Sequence, residues 1–177
     1  MRTVVVYESQ TGCTHLVAEA IGEGLGALGE VQVVSVHDAD EVLADGVDLV
    51  VVGGPTHIHG LTRASTRKAA IEATQKPGVD LEPDPDAEGD GLREWFDALG
   101  ALSAKAAAFD TRMDGPPAFT GRASKGIAKR LRKHGLDLVV PPESFLVTKT
   151  THLESGEEDH ARAWGETIAQ ALSTSTV

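Results

Sequence analysis

Short apolar segments without hydrophobic alternation dominate the pattern of this sequence. The first, at residues 3–7, reads TVVVY, and another continuous apolar run occupies residues 48–52. A strand that is apolar at successive positions is typical of a sheet covered on both faces. Further strands are predicted at residues 31–36 and 104–109. Residues 138–140 and 144–148 form either one bent strand or two, because Pro141 and Pro142 interrupt them.

Helical segments alternate with these strands. Apolar residues recur at spacings of three and four over residues 14–28, which predicts a helix with one buried face. Other helices are predicted at residues 38–44, 92–99, 121–134 and 157–172. Strands that alternate with helices are joined by right-handed crossovers into a parallel sheet. The sequence therefore predicts an α/β fold, a three-layer doubly wound sandwich around a five-stranded parallel sheet.

Composition restricts the class of protein. The 177 residues carry 16 Lys and Arg against 27 Asp and Glu, a formal net charge of −11. This acidity argues against nucleic-acid binding, and no apolar run approaches the roughly 20 residues that span a bilayer. A single cysteine excludes an internal disulfide and a cysteine-rich zinc site. We expect one domain over residues 1–177, without membrane insertion and, for want of a signal-peptide pattern, cytoplasmic.

The regular pattern breaks between about residues 62 and 91, which we interpret as an irregular insert. Residues 64–74 are compatible with a helix, but residues 75–91 hold three prolines among acids and glycines. The insert leaves the carboxyl end of the third strand, where open α/β sheets build ligand sites. It is either a lid over a small substrate or a surface loop without a role.

The turn between the first strand and the first helix is rich in hydroxyl groups. It reads Ser9-Gln10-Thr11-Gly12-Cys13-Thr14. Three hydroxyls, a glycine and backbone N–H groups at the positive end of a helix can wrap a phosphate without a fixed cation. The lysine and the glycine spacing of a Walker loop are missing. The alternative is an ordinary helix start with Thr11 or Thr14 as N-cap.

This turn and the order of the elements resemble the flavodoxin family. The FMN-phosphate signature of that family is Ser/Thr-x-Thr-Gly-x-Thr, and the turn from Ser9 to Thr14 matches it, with the small Ala18 in the helix that follows. The resemblance implies a sheet of order 2-1-3-4-5 with FMN at its carboxyl edge. It also implies that Ser9, Gln10, Thr11, Gly12, Cys13 and Thr14 bind the cofactor.

By the same resemblance, the loop after the third strand lines one face of the FMN ring. Its residues are Pro55, Thr56, His57, Ile58, His59 and Gly60. Flavodoxins usually place a Trp or Tyr here, whereas this chain offers two histidines. The pair either exchanges a proton with the ring or a substrate or forms a polar loop surface. We expect no metal, because no third Cys or His stands nearby in the sequence.

The loop after the fourth strand is expected to close the second ring face. Its cofactor-binding candidates are Asp110, Thr111, Arg112 and Met113. The Tyr that flavodoxins usually have here is missing. Arg112 either contacts the pyrimidine carbonyls of the ring or forms a salt bridge with Asp110 or Asp114. Phe119 either folds back as a cover or belongs to the core.

These features together favour an FMN-binding electron-transfer protein that exchanges electrons with a redox partner, a reductase or an acceptor. The insert favours one alternative, an FMN-dependent oxidoreductase acting on a small substrate such as a quinone or a porphyrinogen. The low aromatic content, 4%, favours another, a flavodoxin-like binding or regulatory module that has lost FMN. The acidic surface suits a basic partner. No catalytic residue is assigned.

Overall fold

The fold is a parallel sheet between two layers of helices. The computed structural model describes residues 1–57 and 59–174. Its strands are β1 (Arg2–Tyr7), β2 (Glu30–Ser35), β3 (Leu49–Pro55), β4 (Lys105–Met113), β5 (Asp137–Leu138) and β6 (Glu143–Val147). Their order is β2-β1-β3-β4-β5, and β6 also pairs with β4. The pairings of these strands are parallel, so the predicted fold class and the order 2-1-3-4-5 are confirmed, with a sixth strand in addition.

The two short strands β5 and β6 occupy successive parts of one edge of β4. Strand β5 lies opposite Lys105 and Ala106, and β6 lies opposite the far end of β4, where Met113 pairs with Val147. Between them stand Pro141 and Pro142, which have no N–H group to donate to the ladder. The prolines therefore divide the last strand position in two.

Seven α-helices connect and cover the strands within the described part of the chain. They are α1 (Cys13–Leu25), α2 (Ala39–Leu43), α3 (Ala64–Thr74), α4 (Leu92–Ala98), α5 (Pro117–Thr120), α6 (Ala123–Lys133) and α7 (Glu157–Thr174). A short 3-10 turn, Gly26–Leu28, extends α1. None of the described helices combines the length and the hydropathy that a bilayer crossing requires.

Alternate residues of the central strand β1 point into two separate hydrophobic layers. Val4 and Val6 pack with apolar residues of α2, α4 and α6 on one face of the sheet. Val5 and Tyr7 pack with α1 and α7 on the other. All four side chains are buried, which explains why the strand sequence is apolar at successive positions.

Glycines bring α1 and α7 into close contact. A Cβ atom at Gly165 of α7 would lie 2.5 Å from the carbonyl oxygen of Ile21 in α1, and one at Gly24 would collide with the backbone of Arg162. Glycine lowers the intrinsic helix propensity of this part of α1, but here it permits the two helix backbones to approach.

Two of the predicted strands are longer than expected. The sequence pattern predicts that the third ends at residue 52 and the fourth at residue 109, with Asp110, Thr111, Arg112 and Met113 in a loop. That part was wrong, because β6 and β3 pair with this segment on either side: Thr111 lies opposite both Phe145 and Pro55. In the insert, α3 occupies residues 64–74, and residues 75–91 contain neither helix nor strand.

Candidate functional site

A cleft of about 280 Å³ opens at the carboxyl edge of β1, β3 and β4. The carboxyl ends of parallel strands are where such sheets bind ligands. The walls come from the turn after β1, the ends of β3 and β4, and the segment after β6. The residues that line it are Ser9, Gln10, Thr11, Cys13, Thr14, Pro55, Thr56, His57, Thr111, Arg112, Met113, Val147 and Thr151.

One end of the cleft is the uncapped start of α1. Gly12 is the N-cap residue with φ 88°, and among the described residues no side chain caps this helix and no acid stands in its first turn. The first N–H groups of a helix have no intrahelical acceptor. Neither Thr11 nor Thr14 is the N-cap, so the helix-start alternative is wrong for both hydroxyls.

The hydroxyl groups of this turn have different tasks. Ser9 Oγ accepts a hydrogen bond from the N–H of Gly12 at 3.1 Å, which closes the turn. Thr14 Oγ1 lies 2.7 Å from Thr111 Oγ1, so it joins α1 to β4. The hydroxyl of Thr11 has no hydrogen-bond partner among the described residues, and it lines the cleft. Thr11 is therefore the hydroxyl most available to a ligand.

Gln10 is buried, with 4% of its surface exposed, and it also lines the cleft. Its Nε2 donates to Glu8 Oε1 at 2.9 Å, while its Oε1 has no hydrogen-bond partner in the described structure. A buried acceptor without a partner costs free energy. A ligand that donates a hydrogen bond here would satisfy it.

Cys13 is hydrogen-bonded within the protein and is not exposed as a nucleophile. Its Sγ donates to the carbonyl oxygen of Thr151 at 3.3 Å, and 8% of the residue is exposed. Burial raises the pKa of the Cys13 thiol, although a backbone hydrogen bond at Leu153 opposes this effect. The thiolate is the reactive form of cysteine, so this environment disfavours reactivity.

The residues after β3 form a tight turn at the other end of the cleft. The N–H of His57 donates to the carbonyl oxygen of Gly60 at 2.8 Å, and the N–H of Gly60 donates back at 3.1 Å. His59, with φ 67°, is exposed and bridges to Gly121. Of the turn itself, only His57 lines the cleft; His59 and Gly60 do not, and Ile58 lies outside the described residues.

His57 is the only one of the two predicted histidines that faces the cleft. Burial lowers the pKa of its imidazole, and the charge of Glu8 partly opposes that shift. The imidazole is therefore neutral at pH 7, when it can donate from one ring nitrogen and accept at the other. Within the described residues, no group of three or more Cys, His, Asp and Glu is arranged to hold a metal ion.

Asp110 lies behind the cleft wall. Its side chain is fully buried, and its Oδ2 accepts from the N–H of Ser124 at 2.8 Å and from Thr56 Oγ1 at 3.0 Å. Thr56 Oγ1 in turn accepts from the N–H of Ala123 at 2.9 Å. The Asp110 carboxylate thus caps the start of α6 and holds the end of β3, and it does not line the cleft.

Arg112 does line the cleft, and its guanidinium organises the segment after β4. Its Nη1 donates to the carbonyl oxygens of Gly115 at 2.8 Å and Met113 at 3.2 Å, and to Thr120 Oγ1 at 3.1 Å. Among the described residues it forms no ion pair with Asp110 or Asp114, so the salt-bridge alternative is wrong. Its Nε is buried and has no partner there.

Two lining residues were missed by the sequence interpretation. Val147 ends β6, and Thr151 has φ 62° in the turn that follows, where the N–H of Thr148 donates to the carbonyl oxygen of His152 at 2.7 Å. A signal was present, because this threonine-rich turn follows the last strand at the same edge of the sheet.

The aromatic side chains lie elsewhere. Within the described part of the chain, no Phe, Trp or Tyr lines the cleft. Tyr7 stacks on His15 with ring centroids 4.4 Å apart, and the buried aromatics pack in the core. Phe119 is 78% exposed, so it is not a core residue. The His57 imidazole and the Met113 side chain line the cleft where no described Phe, Trp or Tyr does.

Known structures share this architecture. A flavodoxin from the domain Archaea is 23% identical, with 98% of this chain and 99% of that chain covered and a TM-score of 0.65. Flavodoxin 1 from Bacillus cereus is 16% identical, with 96% and 98% covered and a TM-score of 0.64. The rubredoxin oxygen:oxidoreductase of Desulfovibrio gigas is 17% identical, with 98% of this chain but 36% of that chain covered and a TM-score of 0.59. At these identities the likeness shows the fold.

Sequence comparison identifies the family. No curated protein matches the chain significantly. The family model described as Flavodoxin, in contrast, matches residues 5–164. That range includes the turn after β1, the end of β3, the end of β4 and the turn after β6, so all walls of the cleft lie within it. The chain belongs to the flavodoxin family.

Proposed function

We propose that this protein binds FMN in the cleft and transfers electrons to or from a separate redox partner protein. The observation that carries the proposal is the uncapped start of α1, which follows Gly12, together with Thr11, Cys13 and Thr14 in the wall of the cleft. Such a helix start favours an anion through its N–H groups and its dipole. A phosphate monoester is the anion that FMN supplies.

The residues present fit the phosphate of FMN. The chain places no cation in the turn, and Gly12 has a backbone conformation that side chains rarely adopt. N–H groups at the start of α1 and the hydroxyl of Thr11 supply the hydrogen bonds that a phosphate needs. The missing acid in the first turn of α1 avoids repulsion of the ligand.

Two unpartnered polar atoms fit the remainder of the cofactor. Gln10 Oε1 is a buried acceptor suited to a hydroxyl or N–H donor of the ligand, and Arg112 Nε is a buried donor suited to a carbonyl oxygen. Neutral His57 adds a donor and an acceptor without charge. Bound FMN supplies the capacity to accept and return electrons, and the protein supplies binding, orientation and electrostatics.

An electron carrier requires that a partner can reach the cofactor. Met113 lines the cleft and is 49% exposed, so the wall formed by β4 ends at the protein surface. The net charge of −11 favours a basic partner through long-range attraction, which raises the association rate at low ionic strength.

FMN titration of the purified protein tests the proposal. Quenching of flavin fluorescence reports binding, and parallel titration with riboflavin, which has no phosphate, isolates the phosphate contribution. Thr11→Val removes one hydrogen bond to a charged group and should weaken FMN binding about tenfold or more, with riboflavin binding unchanged. Thr167→Val is the matched control, because Thr167 lies exposed on α7, away from the cleft, and donates to the carbonyl oxygen of Ala163.

Three outcomes distinguish the alternatives. A protein that stays colourless after incubation with FMN contradicts the proposal and favours a module without cofactor. Equal loss of FMN and riboflavin binding in Thr11→Val contradicts the phosphate assignment. Turnover of a small quinone by the FMN-loaded protein without a partner would favour an oxidoreductase over a carrier.

A further inference from the structure

A second cavity, of about 210 Å³, has His57 in its wall, and no described residue from the start of α1 lines it. It lies between the turn after β3, the first turn of α3 and one side chain of α4. We name it the arginine cavity, and the residues that line it are His57, Leu61, Arg63, Ser65, Thr66 and Arg93. His57 belongs to both the cleft and the arginine cavity, so the two spaces share a wall.

Arg93 is fixed in place by the chain. Its Nε donates to the carbonyl oxygen of Thr62 at 2.7 Å, and its Nη2 donates to the carbonyl oxygen of Leu61 at 2.9 Å. Its Nη1 has no hydrogen-bond partner among the described residues. Backbone carbonyl oxygens thus orient the guanidinium through Nε and Nη2, while the N–H groups of Nη1 remain available as donors.

Positive charges accumulate around this arginine. Burial lowers the pKa of Arg93, and the neighbouring charges of Arg130 and Arg63 lower it further. In the part of the chain that the structure describes, none of these three arginines forms an ion pair. By contrast, Arg162 pairs with both Glu23 and Asp159. Three unpaired arginines close together are unexpected in a chain with 27 acidic and 16 basic residues.

The acids nearest to this cluster are engaged elsewhere. Glu94 pairs with the buried Arg67, at 3.2 Å from its Nη1. Glu8 is buried and accepts from Gln10, from Thr62 Oγ1 and, at 2.8 Å, from the N–H of Leu92. Neither carboxylate lines the arginine cavity. The charges of Glu94 and Glu8 partly oppose the lowering of the Arg93 pKa from outside the cavity, and the described residues that line the cavity include no acid.

We propose that the arginine cavity binds the anionic group, a phosphate or a carboxylate, of a small molecule whose remaining part reaches the cleft past His57. Arginine guanidinium groups bind both anions through paired N–H donors. The first N–H groups of α3 and the hydroxyl of Ser65 lie in the same wall and add neutral donors. This second proposal depends on the proposed function in one respect: FMN is taken to lie in the cleft, next to His57.

The ligand class follows from the shape of the site. A recessed space of about 210 Å³ admits the end of a small molecule, whereas an acidic protein segment needs an extended surface. The insert builds two of the walls, through Arg63 and through the first turn of α3. The insert therefore provides the feature that distinguishes this protein from a carrier whose cleft serves FMN alone.

Amide chemical shifts of ¹⁵N-labelled protein, titrated with inorganic phosphate, test the proposal site by site. In FMN-free protein, phosphate should shift the amides of Thr11 and Cys13 at the start of α1 and, separately, those of Ser65 and Thr66. In FMN-loaded protein only the second set should respond, because FMN occupies the first site. Succinate in place of phosphate shows whether carboxylates or phosphates are preferred, and sodium chloride at equal ionic strength is the blank.

Arg63→Ala is the decisive variant, since the Arg63 side chain is exposed at the helix start and its removal leaves the core intact. It should weaken anion binding at Ser65 and Thr66 about tenfold or more and leave the shifts at Thr11 unchanged. Arg132→Ala, an exposed arginine of α6 that does not line the cavity, is the matched control and should bind like the unmodified protein.

The outcomes separate this proposal from the proposed function. Shifts confined to the start of α1, or equal binding by the Arg63→Ala and Arg132→Ala variants, overturn the arginine cavity as an anion site. Binding of a poly-glutamate peptide without binding of phosphate or succinate also overturns it, in favour of a protein surface. Loss of FMN uptake with retained shifts at Ser65 and Thr66 contradicts the proposed function alone.

Discussion

The start of α1 and the turn after β3 form opposite ends of the cleft, and they are built in different ways. At the first end, consecutive residues supply a glycine, N–H groups and the unengaged hydroxyl of Thr11. At the second end, Thr56 and Arg112 line the cleft while they also hold α6, β3 and the segment after β4 together. At the first end Thr11 lines the cleft without a structural hydrogen bond among the described residues, whereas at the second end the lining side chains of Thr56 and Arg112 both make structural hydrogen bonds. Substitution of Thr11 at the first end should therefore mainly change ligand affinity, whereas substitutions at the second end should also change stability.

The largest effect is expected from Asp110→Ala, behind the wall at the second end. The fully buried carboxylate accepts from the N–H of Ser124 and from Thr56, so its removal leaves buried donors without a partner. We expect the free energy of unfolding to fall by about 2–4 kcal/mol, measured by urea denaturation. Asp114→Ala is the control, because Asp114 is exposed, and its effect should stay within about 0.5 kcal/mol. Equal effects of the two variants would contradict the structural role of Asp110.

Gly12→Ala tests whether the turn before α1 requires the left-handed backbone conformation of Gly12. With φ 88° at Gly12, alanine costs about 1–2 kcal/mol of stability, and we expect FMN affinity to fall as well because the turn relaxes. Gly26→Ala is the matched control. Gly26 has φ −53°, and the space that an added methyl group would occupy there is open, so the substitution should be neutral or slightly stabilising. If Gly12→Ala leaves both stability and FMN affinity unchanged, the left-handed turn is not required.

A double-mutant cycle on Thr14 and Thr111 probes the contact that joins the start of α1 to β4. Their hydroxyls lie 2.7 Å apart and are buried, so either single change to valine leaves one hydroxyl unpaired, at about 1 kcal/mol. The double variant should be less destabilised than the sum of the single variants, because neither hydroxyl is then left alone. Additive losses in urea denaturation would show that the two hydroxyls do not depend on each other.

The smallest effect is a pH dependence at His57. Burial lowers its pKa in the folded protein below the ordinary value of 6.5, so the unfolded chain binds more protons as the pH falls below that value. Stability is therefore complete above about pH 6.5 and decreases as the pH drops below it. We expect His57→Gln to lose less stability than the unmodified protein between about pH 7.5 and 5.5. His152→Gln, at an exposed position, should behave like the unmodified protein; identical pH profiles for both variants would contradict the burial effect.

The same contrast explains which parts the sequence could predict. The strand order and both helical layers follow from apolar strands that alternate with amphipathic helices, and the turn from Ser9 to Thr14 is local in sequence. The position of Asp110 is not local: its partner Ser124 lies in the first turn of α6, fourteen residues later. The sequence alone does not distinguish a loop from the extended end of a strand when the strand that pairs with it, here β6, lies about thirty residues further along the chain.

The positions of Arg112 and Thr151 also depend on how the chain folds. The sequence offered Asp110 and Asp114 as partners for Arg112, but the fold aims its guanidinium at backbone carbonyl oxygens. Thr151 reaches the cleft because the turn after β6 lies at the same sheet edge as the start of α1, where its carbonyl oxygen contacts Cys13. The carbonyl oxygens that Arg112 contacts are close in sequence, but a backbone acceptor is not marked by a residue type; for Thr151 the threonine-rich turn was the available signal.

The division of the core into two layers has a practical consequence for spectroscopy. The chain has two tryptophans; Trp95 lies in the layer of α2, α4 and α6, and Trp164 lies in the layer of α1 and α7. Replacing either one by phenylalanine leaves a single emitter on a known face of the sheet. The fluorescence of each variant then reports the loosening of one layer, and the two unfolding curves show whether the layers melt together.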